Sequence, residues 1–520
     1  MLKQLFVTVY PLRWYVVGVL VALIYLLTIV VYAENIPFAD DLSVLASLYD
    51  IHHEPSWYLK YKTLFAFHNE HRIVIPRLVT ILIYHIQGQV INVIGWIIIG
   101  NVLLFLVLYL YFKTEFTNHR IKLFIPVLLV LLQPVHYELM YWGMAALQNI
   151  GVIALSTIAF YQLTLKNNKF LPVIVAILAV FTSANGMFVF LIGILLLLYK
   201  REWFLGIVWL IVGAGSIYLY WQGFSANEHS GKGFGESFHI FNFLRVFTSL
   251  VGGIIYTQTF SFLSLLLGLS VLGALVFVGY HRFIVHPIRH NKPQQFLICC
   301  LAFTLLTIAA ISFNRDVHSV LSVSRYKLYS TIVISLTYIL LINWIEKSQR
   351  IVRIALIAGL LFGLTSYSRY TVMFDIHSRL LFAHFFNWRY SGMLDIYPPF
   401  TEKYYSERWY KFYQSGQYIP PESAVEKSRK ILEMSKKPAL QKASFSIDDQ
   451  IVNIKPVSLP VNEYYAVHKT RHKMAVYPLN RHSFYKRLFS TSPADYSTSI
   501  DASYWTSAPG SSALFIVPLN

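Results

Sequence analysis

The sequence predicts an α-helical, multi-pass membrane protein of about eleven transmembrane helices, followed by a small α+β domain at the C-terminus. Of its 520 residues, 56% are hydrophobic and 13% are charged, and the apolar residues form runs long enough to cross a bilayer. Runs such as 101–111 and 191–198 lack the alternation of β-barrel strands, so the crossings are helical. The predicted crossings are residues 14–32, 90–112, 121–134, 144–165, 170–182, 187–199, 203–221, 260–280, 295–313, 326–344 and 351–369.

The placement of charge orients this bundle. The formal net charge is +18, and 15 of the 25 Lys and Arg residues before position 374 fall in the N-terminus and five short loops. The positive-inside rule makes these loops cytoplasmic, which explains most of the excess charge without a nucleic-acid partner. Ten of the 13 acidic residues before position 374 then lie outside. The basic loops are 113–122, 166–169, 200–202, 280–292 and 346–353.

This topology divides the chain into a transmembrane domain, residues 1–373, and an extracytoplasmic domain, residues 374–520. The first apolar run exceeds the usual length of a signal-peptide core, which predicts an uncleaved anchor with a cytoplasmic N-terminus. A long first outer loop, 33–89, follows it. Within that loop, 72–87 mixes basic and apolar residues, and we expect an amphipathic helix on the outer surface.

The C-terminal domain is predicted to begin with a helix at 402–413 and to continue mainly with strands. Only two cysteines occur, adjacent at Cys299 and Cys300, so a disulfide framework and a thiolate zinc site are excluded. Low cysteine content and the lack of a eukaryotic targeting signal favour a bacterial inner (cytoplasmic) membrane. The predicted strands are 443–454, 463–467 and 514–517.

Two adjacent carboxylates, Asp40 and Asp41, open the first outer loop. Paired carboxylates at a membrane boundary repel each other and lose hydration, so they are commonly kept for a proton, a metal ion or a cationic partner. The structural alternative is that Asp41 caps the helix that follows. Both roles are compatible, with one aspartate capping and the other reacting.

A second polar run in this loop is His68-Asn69-Glu70-His71-Arg72. If the run is helical, His68 and His71 share a face and have the spacing of metal ligands. An anion site formed by His71 and Arg72 is the interpretation we favour, and no metal is predicted.

Later outer loops add further candidates. His136 and Glu138 lie among aromatic residues that suit a membrane-interface belt, but such a belt does not require charge. Arg315, Arg325 and Lys327 are predicted to meet at one mouth of the bundle, where guanidinium groups suit phosphate oxygens. Snorkelling to lipid headgroups is the alternative for these cations.

An uncleaved first helix, a first outer loop opening with Phe38-Ala39-Asp40-Asp41, and about eleven crossings together resemble the GT-C superfamily of polyprenyl-phosphate-dependent glycosyltransferases. The segments Asn69-Glu70-His71-Arg72 and Ser324-Arg325-Tyr326 are also similar to those of bacterial membrane proteins of this type. The resemblance covers residues 1 to about 369 and does not extend to the C-terminal domain.

The resemblance implies transfer of a sugar from a lipid phosphate carrier to an acceptor on the outer face, with inversion at the anomeric carbon. Either Asp40 or Asp41 is then the general base. The resemblance implies no cofactor, with a divalent metal ion left open, and a glycan, lipid or protein as acceptor. The residues expected to bind the substrate or its phosphate are Glu70, His71, Arg72, His136, Glu138, Arg315, Arg325, Tyr326 and Lys327.

Three other functions compete with this hypothesis. A lipid-linked glycan transporter or flippase predicts charged or helix-breaking residues in mid-membrane and two related halves, whereas the spans here are almost free of charge. A glycan polymerase or ligase would use the same outer arginines. For a non-catalytic assembly subunit, the outer acidic residues would be dispensable.

Overall fold

The structure is a computed structural model whose described part is predominantly helical. The helices are α1 Leu2–Tyr32, α2 Asp41–His53, α3 Trp57–Leu64, α4 Val74–Ile86, α5 Val93–Glu115, α6 Ile121–Leu131, α7 Glu138–Tyr141, α8 Gly143–Thr164, α9 Leu171–Val180, α10 Phe188–Tyr199, α11 Trp203–Trp221, α12 Ile240–Val251, α13 Ser261–Gly279, α14 Lys292–Ser312, α15 Val317–Ser322, α16 Lys327–Ile345, α17 Gln349–Ser391, α18 Glu402–Gln414 and α19 Glu422–Met434. The structure describes residues 2–69, 71–116, 120–166, 168–224, 239–257, 260–285, 291–313, 315–346, 348–391, 402–434, 445–448, 451–459, 464–469, 474–478, 480–481, 494–501 and 513–518.

Among these residues, eight helices are long and apolar enough to cross a membrane, which indicates a multi-pass membrane protein. Eight of the predicted crossings coincide with them. The other three coincide with the shorter apolar helices Ile121–His136, Leu171–Val180 and Ala184–Tyr199, and stay predictions as crossings. The eight spans are Leu12–Tyr32, Val93–Thr114, Gly143–Thr164, Trp203–Trp221, Ser261–Val285, Lys292–Ser312, Ser324–Ile342 and Gln349–Tyr390.

The last of these helices differs from its prediction. The sequence suggested a crossing that ends near Arg369, because charged residues follow the apolar run. In the structure α17 continues without a break to Ser391. Its charged side chains are accommodated along the helix, as Arg379 pairs with Asp375 one turn earlier at 2.6 Å.

The chain forms two compact units. Unit 1 comprises Met1–Ala33, Asp50–Ile83 and Gly95–Tyr370, and unit 2 comprises Glu34–Tyr49, Tyr84–Ile94 and Thr371–Asn520. Part of the predicted first outer loop therefore belongs to the same unit as the C-terminal segment.

Close contact between small residues packs the helices of unit 1. A Cβ atom added at Gly100 of α5 would lie 2.6 Å from the Cβ of Ala146 on α8, so the two backbones are nearly in contact. On α13, a Cβ at Gly268 would meet the carbonyl of Thr248 on α12. Such close approach increases dispersion contacts between helices that gain little from the hydrophobic effect in lipid.

Unit 2 combines helices with two antiparallel sheets. An aromatic stack forms its helical core, where the buried rings of Trp388 and Trp409 lie 3.7 Å apart and nearly parallel. The Tyr418 hydroxyl donates to the carbonyl oxygen of Asn35 at 2.8 Å, which fixes the start of the unit to α18 and α19. The sheets have the strand orders β1-β2-β6-β5 and β4-β3-β7. The strands are β1 Phe445–Asp448, β2 Ile451–Leu459, β3 Tyr464–Lys469, β4 Met474–Pro478, β5 Asn480–Arg481, β6 Ala494–Asp501 and β7 Ala513–Pro518.

Candidate functional site

Four cationic side chains meet at one end of unit 1, and we call them the cation cluster: Arg315, Arg325, Lys327 and Arg369. Arg315 precedes α15, Arg325 lies in the 3-10 turn Ser324–Tyr326, and Lys327 is the first residue of α16. Arg369 comes from α17. The sequence predicts that the first three meet at one mouth of the bundle.

The two arginines of the turn region share one aromatic ring. The guanidinium carbons of Arg315 and Arg325 lie 5.6 Å and 5.2 Å from the ring centroid of Tyr326. Arg315 also donates from Nη1 to the Tyr326 hydroxyl at 2.7 Å. Tyr326 therefore holds two positive charges near each other without neutralising either.

Lys327 is 3% exposed, which is unusual for a lysine. Its Nζ donates to the Tyr370 hydroxyl at 3.1 Å and lies 5.5 Å from the ring centroids of both Tyr256 and Tyr370. No carboxylate pairs with it within the described residues. A buried ammonium with only a hydroxyl and two ring faces is poorly compensated, so an anion beside it would be strongly stabilising.

Tyr256 links this lysine to the fourth cation. Its carbonyl oxygen accepts from Arg369 Nη1 at 2.9 Å, and its hydroxyl lies 3.1 Å from His318 Nδ1. Burial raises the pKa of Tyr256; the nearby Asp316 carboxylate raises it further, whereas Arg369 lowers it. The tyrosine is therefore a neutral hydrogen-bonding group among the charges.

Asp316 caps the helix beside the cluster. Its carboxylate accepts the backbone N–H groups of His318 at 2.8 Å and Ser319 at 3.2 Å, so it is the N-cap of α15. These bonds, that from Ser319 first, lower the pKa of Asp316. The carboxylate of Asp316 therefore accepts hydrogen bonds from the N-terminus of α15 and forms no ion pair with Lys327 among the described residues.

Glu138 and the turn at Ser324 form a reciprocal clasp. Glu138 Oε2 accepts the backbone N–H of Arg325 at 2.9 Å and the Arg325 Nη1 at 3.4 Å. In return, the backbone N–H of Glu138 donates to Ser324 Oγ at 3.0 Å. The clasp orients Arg325 over the ring of Trp142, 5.1 Å from its centroid. The structure thus brings Glu138, Arg325 and Tyr326 together.

His136, two residues earlier, faces a different set of partners. It is fully buried, and its Nε2 lies 3.4 Å from the Tyr25 hydroxyl, which donates to Asn101 Oδ1 at 2.6 Å. Asn101 in turn donates to the carbonyl oxygen of Leu139 at 2.9 Å. This buried group connects α1, α5 and the segment that carries Glu138.

Arg72, a predicted phosphate ligand, is engaged within unit 1. Its guanidinium carbon lies 4.3 Å from the ring centroid of Phe67, and its Nη2 donates to the carbonyl oxygen of Gln222. Its backbone N–H donates to the Tyr220 hydroxyl at 2.9 Å. Burial lowers the pKa of Arg72. These contacts tie the first loop to the end of α11.

The helical pairing suggested for His68 and His71 is wrong. The two residues are antiparallel bridge partners, joined by backbone hydrogen bonds of 2.7 Å and 2.9 Å. Asn69 between them adopts a φ of 51°, a left-handed conformation that asparagine tolerates in a tight turn. Glu70, which was expected to bind substrate, lies outside the described residues.

Asp40 and Asp41 belong to unit 2, at the start of α2. Asp41 is fully buried, and its Oδ2 accepts the backbone N–H of Phe38 at 3.2 Å. Asp40 precedes the helix and is only partly buried, and its carbonyl oxygen accepts the hydroxyl of Ser43 at 3.0 Å. The two carboxylates therefore occupy different environments.

The end of α17 adds polar residues to this region of unit 2 that the sequence analysis missed. The Ser378 hydroxyl donates to Glu34 Oε1. The ring of His377 packs edge-on against Phe38, with centroids 4.9 Å apart. They were missed because this segment was predicted to have left the transmembrane domain. The sign of a continuing helix in the sequence was the seven-residue spacing of His377 and His384, both of which the structure buries.

No family model, curated protein or solved structure matches this chain. Among the described residues, no three His, Cys, Asp or Glu side chains are grouped so that they could hold a metal ion. The GT-C resemblance therefore stays a prediction. The function proposed for the chain is argued from the arrangement of its charged side chains.

Proposed function

We propose that this protein is a membrane glycosyltransferase that moves a sugar from a polyprenyl-phosphate-linked donor to a glycan, lipid or protein acceptor of the cell envelope. The reaction is an inverting displacement on the outer face of a bacterial inner membrane. The observation that carries this proposal is the buried Lys327, without an acidic partner among the described residues, beside Arg315 and Arg325.

Such a cluster suits a lipid phosphate for two reasons. Two of its members, Arg325 and Lys327, lie at the start of a candidate membrane span, Ser324–Ile342, where the headgroup of a membrane-anchored donor would be found. Cations that are already oriented by tyrosine and glutamate need little reorganisation to stabilise the charge that grows on a departing phosphate. Lipid snorkelling does not account for Lys327, because its side chain is buried.

The arrangement of helices in unit 1 supports a location of the cation cluster on the outer face of the membrane. Arg120, just before α6, pairs with Glu346, just after α16, at 2.7 Å. The Glu138–Arg325 clasp joins the segment that follows α6 to the turn that precedes α16. The cation cluster is thus at the end opposite the basic loops, which the positive-inside rule assigns to the cytoplasm.

Asp40 is the better candidate for the general base. Asp41 is fully buried, whereas Asp40 is partly exposed and therefore more accessible to an acceptor. In the reaction, the acceptor oxygen bonds to the anomeric carbon as its proton passes to the Asp40 carboxylate. The bond from that carbon to the phosphate oxygen breaks, and its electron pair stays on the phosphate.

The test is to introduce Asp40→Asn and Asp41→Asn separately into cells that lack the native gene and to quantify envelope glycans by mass spectrometry. Asp40→Asn is expected to insert normally and to lose transfer by about 10²–10⁴-fold. Asp41→Asn is expected to lower the amount of inserted protein but to retain transfer per molecule. The matched control is Asp50→Asn in α2, the helix that begins at Asp41, and this variant is expected to retain both the amount of inserted protein and its transfer.

If Asp40→Asn retains full transfer and Asp41→Asn loses it per molecule, the base is Asp41. If both retain full transfer, the displacement mechanism is wrong. A flippase would instead leave the donor lipid unprocessed on the inner face in a variant that lacks the cation cluster, with no specific dependence on Asp40.

A further inference from the structure

The charge balance of the cation cluster bears on the class of donor. Four cationic side chains meet there, and two carboxylates, Glu138 and Asp316, lie beside them. Within the described residues this leaves an excess of two positive charges. A sugar joined to a lipid through a monophosphate carries one negative charge, whereas a sugar joined through a diphosphate carries two.

The cations are also grouped in pairs around two different rings. Arg315 and Arg325 lie within 6 Å of the Tyr326 centroid. Lys327 and Arg369 lie 5.5 Å and 5.3 Å from the Tyr370 centroid. Each pair can contact one phosphate group.

The two pairs are neighbours in space. Arg325 and Lys327 are separated by one residue at the junction of a 3-10 turn and α16. The rings of Tyr137 and Tyr370 lie 5.6 Å apart, while the adjacent Glu138 holds Arg325. The second pair is therefore placed beside the first rather than elsewhere on the bundle.

We infer that the donor is a lipid-linked sugar diphosphate, with one phosphate held by Arg315 and Arg325 and the other by Lys327 and Arg369. This inference rests on the proposed function, which supplies the assumption that the donor lipid is an isoprenoid. In the displacement, the sugar–oxygen bond breaks and its electron pair remains on the diphosphate. The leaving group is thus a lipid diphosphate, whose additional negative charge develops beside cations already in place.

The probes are farnesyl diphosphate and farnesyl monophosphate, titrated into the purified full-length protein in detergent micelles by isothermal calorimetry. Farnesyl diphosphate is expected to bind at least about tenfold more tightly, because one additional charge-assisted contact is worth a factor of that order. An excess of phosphatidylglycerol, whose headgroup is a monophosphate diester, is expected not to displace it. This arm separates an isoprenoid site from a site for ordinary lipid headgroups.

Two variants test the two pairs. Arg315→Gln, at an exposed position, and Lys327→Met, which keeps an apolar chain in a buried position, are each expected to reduce the preference for the diphosphate to about threefold or less. Arg201→Gln, a cation between α10 and α11, is the matched control and is expected to leave binding unchanged. Equal affinity for the two probes, displacement by phosphatidylglycerol, or a preference that survives both variants would overturn the inference.

The experiments distinguish a wrong assignment of the diphosphate donor from a wrong proposed function. If the diphosphate preference is absent but Asp40→Asn still abolishes transfer, the enzyme stands and uses a monophosphate donor. If the preference is present but envelope glycans do not depend on the protein, the anion site stands and the transferase proposal falls.

Discussion

Replacing Glu138 by alanine should destabilise unit 1 more than breaking any exposed ion pair. Glu138 Oε2 accepts the backbone N–H of Arg325 at 2.9 Å, and a hydrogen bond to a charged group contributes about 1.5–3 kcal/mol. The side-chain ion pair, whose members are 27% and 20% exposed, adds less than about 1 kcal/mol. Glu138→Ala is therefore expected to lower the free energy of unfolding by about 2–3 kcal/mol.

The assay is tryptophan fluorescence while SDS is titrated into the protein in dodecyl maltoside micelles. Glu346→Ala is the matched control, because it breaks the Arg120–Glu346 pair at the opposite end of unit 1, where Glu346 is 46% exposed. Its expected cost is below about 1 kcal/mol.

A double-mutant cycle separates the two parts of the clasp. Arg325→Ala removes the guanidinium but keeps the backbone N–H, so its coupling to Glu138→Ala should be below about 1 kcal/mol. A cost for Glu138→Ala no larger than that for Glu346→Ala, or a coupling that accounts for the whole effect, would refute the role given to the backbone hydrogen bond.

Three further predictions concern other parts of unit 1. Tyr25→Phe should cost about 1–3 kcal/mol in the same SDS titration, because the buried Asn101 Oδ1 loses its 2.6 Å donor; no loss would contradict this. Gly268→Ala should be destabilising because its Cβ would collide with the backbone of α12, whereas Gly273→Ala on the same helix has open space and should be neutral. Because the pKa of Asp316 is lowered in the folded state, its stabilising contribution is present above the ordinary aspartate pKa of about 4 and is lost as the pH falls through the folded value; Asp316→Asn should remove this pH dependence from thermal unfolding curves.

The transmembrane helices were predictable because hydrophobic length is a local signal. Eight predicted crossings coincide with helices that are long enough to span a membrane. The end of α17 was not predictable in this way, since Arg369 and Asp375 resemble a boundary when their partners are unknown. Within the continuing helix, Arg379 lies one turn from Asp375 and offsets its charge.

The candidate site was predictable in composition but not in detail. Glu138 and Arg325 are 187 residues apart in sequence. Only the fold could therefore reveal that the Glu138 carboxylate accepts the backbone N–H of Arg325. For His68 and His71, which are close in sequence, the spacing predicted the wrong arrangement. Their spacing suits a helix, but the left-handed conformation of Asn69 turns the chain back on itself. The bridge between the two histidines, which their spacing does not reveal, places them opposite each other.

The most direct test of the central claim is to map where an isoprenoid phosphate binds. A farnesyl diphosphate analogue that carries a diazirine next to the phosphate would be photolysed with the purified protein, and the labelled peptides identified by mass spectrometry. We predict adducts within 315–327, including Lys327, that disappear when unlabelled farnesyl diphosphate is added in excess. Labelling confined to exposed apolar helices such as α11 or α13, and insensitive to that competitor, would contradict a phosphate site at the cation cluster.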